Sequence, residues 1–133
     1  MADAVDTLTP IKGGNRIIIR CTNVSDGTGE SAVIKIDKST LIGPDGVNEP
    51  GKIVLEEVQW SIQGFSSVRL FWDHTTDDEI CVLGTGNGYF NFKNAGGLTD
   101  PASSGGTGDV LLTTAGAISG ATYDITLVCR LKK

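Results

Sequence analysis

The stretch 122–130 constrains the fold more than any other part of the chain: Tyr123, Ile125, Leu127 and Cys129 alternate there with Thr122, Asp124, Thr126 and Arg130. A period of two puts the apolar set on one side of a pleated strand and the polar set on the other, as in a half-buried β-strand. The same period returns in segment after segment, glycine-rich loops separate the segments, and no stretch has the spacing of an amphipathic helix. Such a chain buries its apolar faces by laying sheet against sheet. We therefore expect an all-β, single-domain antiparallel β-sandwich.

Residues 1–14 are polar, include Pro10 and end in Gly13-Gly14, which predicts an extended N-terminal arm ahead of a β-sandwich domain at 15–133. Strands are expected at 15–23, with Ile17, Ile19 and Cys21 on one face, and at 31–38, with Ala32, Ile34 and Ile36 inward and Val33, Lys35 and Asp37 outward. Between 52 and 63 the apolar phase changes from Ile53 and Leu55 to Val58, Trp60 and Ile62, and a β-bulge at Glu56-Glu57 restores the inward phase. Gly64 ends that strand; the next carries Val68, Leu70 and Trp72, followed by a short strand at 80–83. Gly84-Thr85-Gly86-Asn87-Gly88 reads as a hairpin turn before a strand at 89–93. The long glycine-rich loop 94–108 precedes strands at 109–114 and 122–130. The count is about eight strands, the jelly-roll number, and a jelly-roll-like topology is preferred to an immunoglobulin-like one.

A chain of 133 residues buries enough surface to need no metal or disulfide staple. Its net charge of −5 and the lack of any basic run longer than Lys132-Lys133 argue against nucleic acid and anionic membranes as partners. The N-terminus has no basic stretch leading into an apolar one, so synthesis in a cytoplasm is expected. Cys21, Cys81 and Cys129 each sit in an apolar strand and read as reduced core residues, a Cys21–Cys129 cross-link between neighbouring strands being the alternative. With no CxxC pair and His74 as the only histidine, a structural zinc site is not expected, nor any cofactor.

The acidic loop Asp26 to Glu30 lacks the alternating ligands of a calcium loop and Asp73 to Asp78 crowds its acids together, so both read as solvated turns. The glycine string 84–88 leads into a strand rather than a helix, so it is no phosphate loop. Asp73-His74 is the one acid–base pair, with Ser66 or Thr75 as nucleophiles by sequence proximity alone. Glu56 and Glu57, as strand neighbours, face opposite ways unless a bulge intervenes, which does not suit a glycosidase pair. No catalytic, cofactor-binding or metal-binding residue is therefore assigned, and the chain is expected not to be an enzyme. Trp60 and Trp72 fall in the inward phase and read as core, not as a sugar-stacking platform.

Four segments carry a resemblance: 22–33 (TNVSDGTGESAV), Leu70-Phe71-Trp72-Asp73, Gly96-Gly97-Leu98 and 106–114 (GTGDVLLTT). In order, over about Ala2 to Lys132, the chain resembles a group of small virion structural proteins encoded by aquatic tailed bacteriophages. The resemblance implies a capsid decoration, or cement, protein on the exterior of the head, with the major capsid protein as partner and no residue role to transfer. Cement proteins commonly sit as trimers at three-fold positions, so a homotrimer is expected, with arm 1–14 and loop 94–108 reaching the capsid or a sister subunit. Ends without a partner are the competing reading of those segments. A tail or baseplate component is the alternative role. A virion carbohydrate-binding module ranks third, because it needs a row of exposed aromatics.

Overall fold

The computed structural model describes residues 4–13, 16–42, 46–74, 76–100 and 106–132, and for 4–13 the backbone alone. The strands are β1 (Ala4–Gly13), β2 (Arg16–Asp26), β3 (Val33–Ile36), β4 (Lys52–His74), β5 (Asp78–Asn91), β6 (Gly106–Ala115) and β7 (Ser119–Lys132). Short 3-10 turns lie at Lys38–Thr40 and Lys93–Ala95, and there is no α-helix among the described residues. All seven strands belong to one antiparallel sheet of order β1-β2-β7-β4-β6-β3, with β5 on the other edge of β4. The protein is all-β, and the sheet is nearly closed into a barrel.

The register shows how one sheet curls so far. β4 is antiparallel to β7 along Lys52 to Gln63, then to β6 along Ser67 to His74, so β6 and β7 are successive lengths of one ribbon beside β4. β2 and β3 are likewise successive lengths beside β7 and β6. Long ribbons thus lie side by side, and each breaks at one level. The breaks fall at 27–32 between β2 and β3, at 63–66 in β4, at 84–86 in β5 and at 116–118 between β6 and β7. Gly27, Gly29, Gly64, Gly86, Gly116 and Gly120 all have positive φ along this line. Only glycine enters that backbone region without steric cost, so the aligned glycines form a crease on which the sheet doubles back.

Glycine punctuation predicts about eight strands; the described residues form seven, hydrogen-bonded in one sheet. The expected strands at 52–63 and beyond Gly64 are the two arms of β4, and those at 80–83 and 89–93 are the two arms of β5. The string 84–88 is therefore a bent strand interior, not a hairpin turn. A Cβ on Gly88 would lie 2.0 Å from Cζ2 of Trp60, so this glycine makes room for the indole on the facing strand. Residues 4–13 run as edge strand β1 along β2.

The bulge expected at Glu56-Glu57 is present: Leu55 faces Cys129 and Glu57 faces Val128, leaving Glu56 as the extra residue. The inward phase passes from Ile53 and Leu55 to Val58 and Ile62, all buried. A second bulge, at Lys35, was not foreseen, since Ile34 faces Leu111 and Ile36 faces Val110. It corrects the inward set of this strand: Ile36 is buried, but Ile34 is exposed and Lys35 is turned inside.

Cys21 lies opposite Ile125 and Cys129 opposite Ile17. That offset, roughly 13 Å along the sheet, is too long for a disulfide, and all three cysteines are free thiols. Burial, and then the charge of Glu56, pushes the Cys129 thiol up to about 12; burial, and then Glu79, does the same for Cys81. At pH 8 such a thiol is thiolate about a thousandfold less often than an ordinary cysteine. Native protein is expected to react with a thiol reagent at least a hundredfold more slowly than protein unfolded in guanidinium, where three thiols titrate together. One fast thiol in the native state would contradict the placement of Cys81.

Candidate functional site

One end of the creased sheet holds a cleft of about 410 Å³, lined by Lys38, Lys52, Trp72, His74 and Asp100 among others. His74 closes β4 and faces Gly106, the first residue of β6. A Cβ on Gly106 would lie 2.5 Å from His74 Cε1 and Nδ1, so glycine leaves the room the imidazole occupies beside β6. The ring is held with its other nitrogen towards Asp100 and Asp78: Nε2 is 2.5 Å from Asp100 Oδ1 and 3.7 Å from Asp78 Oδ2. The His74 backbone N–H donates to the Asp77 carboxylate at 3.0 Å, which shapes the turn that returns Asp78 to the ring.

The side chain of His74 is only 7% exposed. Its hydrogen bond to Asp100 raises its pKa above the ordinary histidine value; the charges of Asp100, Asp78 and Asp73 add to the rise and burial opposes it. The Lys38 ammonium is turned to Glu49, at 2.6 Å, and to the Pro50 carbonyl, at 3.1 Å. Trp72 forms the apolar floor, almost fully buried.

The residues considered from sequence are dispersed by the fold. Asp73 is not the partner of His74: its carboxylate accepts from the Thr107 hydroxyl at 2.8 Å, and Asp100, 26 residues along the chain from His74, takes its place. Ser66 lies at the crease, where a Cβ on Gly116 would meet its Oγ at 2.1 Å, and Thr75 lies outside the described residues. Glu56 is buried and sits 2.6 Å from Arg16 and 3.8 Å from Arg130, whereas Glu57 accepts from the Tyr89 hydroxyl at 2.8 Å. In the loop 26–30, Asp26 accepts from the backbone and hydroxyl of Thr28, while Glu30 turns inward to Lys35. These two carboxylates therefore serve different partners.

The aromatics do not form a surface row. Trp72 is in the core, and Trp60 is partly buried, its ring centroid 4.7 Å from that of Phe90, which in turn packs on Phe92. The glycine-rich loop 94–108 is tied down at Leu98, which exchanges two backbone hydrogen bonds of 2.8 Å with Leu55. Residues 101–105 of that loop lie outside the described residues. Sequence reasoning missed Asp100 because nothing in a glycine-rich loop marks one aspartate as the partner of a distant histidine. The chain matches no protein-family model, and no curated protein matches it.

Proposed function

We propose that this chain is a capsid decoration protein that adheres to the outside of a tailed-bacteriophage head and stabilises it, acting as a homotrimer without enzymatic activity. The observation that carries the reading is the ordered resemblance of 22–33, 70–73, 96–98 and 106–114 to small virion proteins of aquatic phages. In the fold Leu70 and Phe71 pair with Leu112 and Leu111, and Val33 pairs with Leu112, while Leu98 bridges to Leu55 on the other arm of β4.

Val24, Ile34, Val82, Tyr89 and Ile118 are exposed at separate places on the sheet. A cement protein spreads many weak contacts over several capsid subunits, and the sum of such contacts is strong. The doubled-back sheet supports a jelly-roll-like, two-layer reading of the architecture, made in the host cytoplasm and displayed on the capsid exterior with the major capsid protein as partner. Residues 1–14, most of which form edge strand β1, and the loop 94–108 are the segments assigned to capsid or sister-subunit contacts.

A cryo-electron reconstruction of virions carrying this chain tests the proposal. Density of its shape, in threes, over three-fold or quasi-three-fold sites of the head lattice is the expected result. Density confined to the tail or baseplate would overturn it and leave a tail component as the role.

A further inference from the structure

We propose that His74, Asp78 and Asp100 bind a divalent first-row transition ion of the zinc or manganese class. The three side chains come from the end of β4, the start of β5 and the segment before β6, and one ligand atom from each lies within 4.8 Å of the others. Donors around a single ion stand roughly 3 to 4 Å apart, given metal–ligand bonds near 2.1 Å, so an ion that replaces the proton between His74 Nε2 and Asp100 Oδ1, now 2.5 Å apart, moves that pair slightly apart. Asp78, whose side chain is half exposed, is free to close the remaining gap.

The imidazole separates this constellation from an ordinary acidic patch. Its side chain is 7% exposed, fixed by its contact with Gly106, and aims Nε2 at both carboxylates, where either a proton or a metal ion serves as the bridge. One neutral imidazole and two carboxylates carry two negative charges, which a dication neutralises. The nitrogen ligand favours zinc or iron over magnesium and calcium, which prefer an all-oxygen shell, and the two carboxylates also suit manganese. The adjoining cleft of about 410 Å³ leaves room for water on the positions the protein does not fill, as in an open metal site. Of the two lysines that line this cleft, Lys38, on the 3-10 turn 38–40, is already engaged by Glu49.

The site differs in kind from the cysteine–histidine zinc site that the sequence argues against. It needs no cysteine and only one histidine. Bound metal clips the segment around Asp100 to the β4–β5 turn. The proposal does not depend on the chain's role in a virion.

The test uses the full, untagged chain, stripped with chelator and titrated separately with Zn²⁺, Mn²⁺ and Mg²⁺ by calorimetry. One saturable equivalent of Zn²⁺ per chain is expected, with Mg²⁺ at least a hundredfold weaker. His74→Gln and Asp100→Asn are each expected to weaken Zn²⁺ binding at least tenfold; Asp78→Asn, at a half-exposed position, supplies the same test without threatening the fold. Because His74 is the only histidine, its imidazole proton resonances stand alone in an NMR spectrum, and substoichiometric Mn²⁺ is expected to broaden them before other signals. Absence of saturable Zn²⁺ binding up to millimolar concentration would overturn the proposal. So would equal Zn²⁺ affinity in the wild type and in the folded Asp78→Asn and His74→Gln proteins, the pattern of scattered surface carboxylates.

Discussion

Replacing Gly64 by valine is expected to cost about 3 to 5 kcal/mol of folding stability, the sum of left-handed backbone strain and overpacking in a closed space. Its φ is +86°, and a Cβ there would lie 2.8 Å from the Ala121 Cβ and 2.9 Å from the Ala121 Cα, backbone that has no flexible end to move aside. Ala121 is itself buried in β7 directly beyond the crease, so the clash falls where the two arms of the sheet fold towards each other. Two controls separate the terms. Gly120→Ala, at φ +89° with nothing within 4 Å of the new methyl, is expected to lose only the strain, about 1 to 2 kcal/mol. Gly84→Ala, in open space and without a positive φ, is expected to fall within about 1 kcal/mol of the wild type. Denaturant titrations of the three variants give the comparison. A Gly64→Val protein no less stable than Gly120→Ala would mean that the crease tolerates a side chain and is not what shapes the sheet.

Removing the ammonium of Lys35 is expected to be as damaging for a different reason. Lys35 Nζ lies 2.7 Å from Glu30 Oε2, and the two side chains are 2% and 5% exposed. The other carboxylate oxygen accepts from Asn23 Nδ2 at 2.9 Å and from the Tyr123 hydroxyl. Burial, and then the hydrogen bond to Glu30, raises the Tyr123 phenol well above its ordinary pKa, so it remains a donor throughout the stable pH range. Lys35→Met strands the Glu30 carboxylate in the interior and is expected to cost about 3 to 5 kcal/mol. Adding Glu30→Gln keeps an acceptor for Asn23 and Tyr123 but removes the charge, so the double variant is expected to be more stable than Lys35→Met alone. A double-mutant cycle with coupling of about 2 kcal/mol or more is the expected measurement. A Lys35→Met cost below about 1 kcal/mol would put the pair in the class of exposed surface bridges.

The network also has a place in the architecture. Glu30 lies in the crossover between β2 and β3, where its backbone N–H donates to Thr114 Oγ1 at 2.9 Å and its carbonyl accepts from the Thr114 N–H at 3.0 Å. The crossover is thereby fastened to the β6 ribbon at the level of the crease. A buried charge pair contributes little net stability against an apolar alternative of the same shape, but it penalises packings that leave either charge alone. Here it favours the bulge that turns Lys35 in and Ile34 out, and a shift of one residue in that pairing would expose Lys35 and bury Ile34.

The all-β class was legible in the sequence because a strand reports its two faces through a local period of two. The alternation at 122–130 placed Tyr123, Ile125, Leu127 and Cys129 inside, and all four are buried. The change of phase at Glu56-Glu57 likewise gave away its bulge, since only an extra residue keeps both apolar runs on the same face. The number and ends of the strands were not legible, because a glycine at positive φ serves a turn and a crease equally well, and only the neighbouring ribbon tells them apart. Gly64 and Gly86 bend strands that continue, where the sequence suggested that the strands stop. The inward turn of Lys35 was hidden for the same reason: alternation assigned it to solvent, and its partner Glu30 lies in a loop.

The cleft shows the division most clearly. The sequence by itself determined that the chain would form β-strands, which faces most of them would bury, and that one histidine would sit in an acidic turn. Only the tertiary structure decided that the histidine meets Asp100 across 26 residues, with Asp78 and Gly106 beside it. Strand periodicity is a short-range property, carried by each residue and its next neighbours. A constellation of side chains depends on the register between distant strands, which is set by the packing of the whole core and by the line of glycines on which the sheet turns.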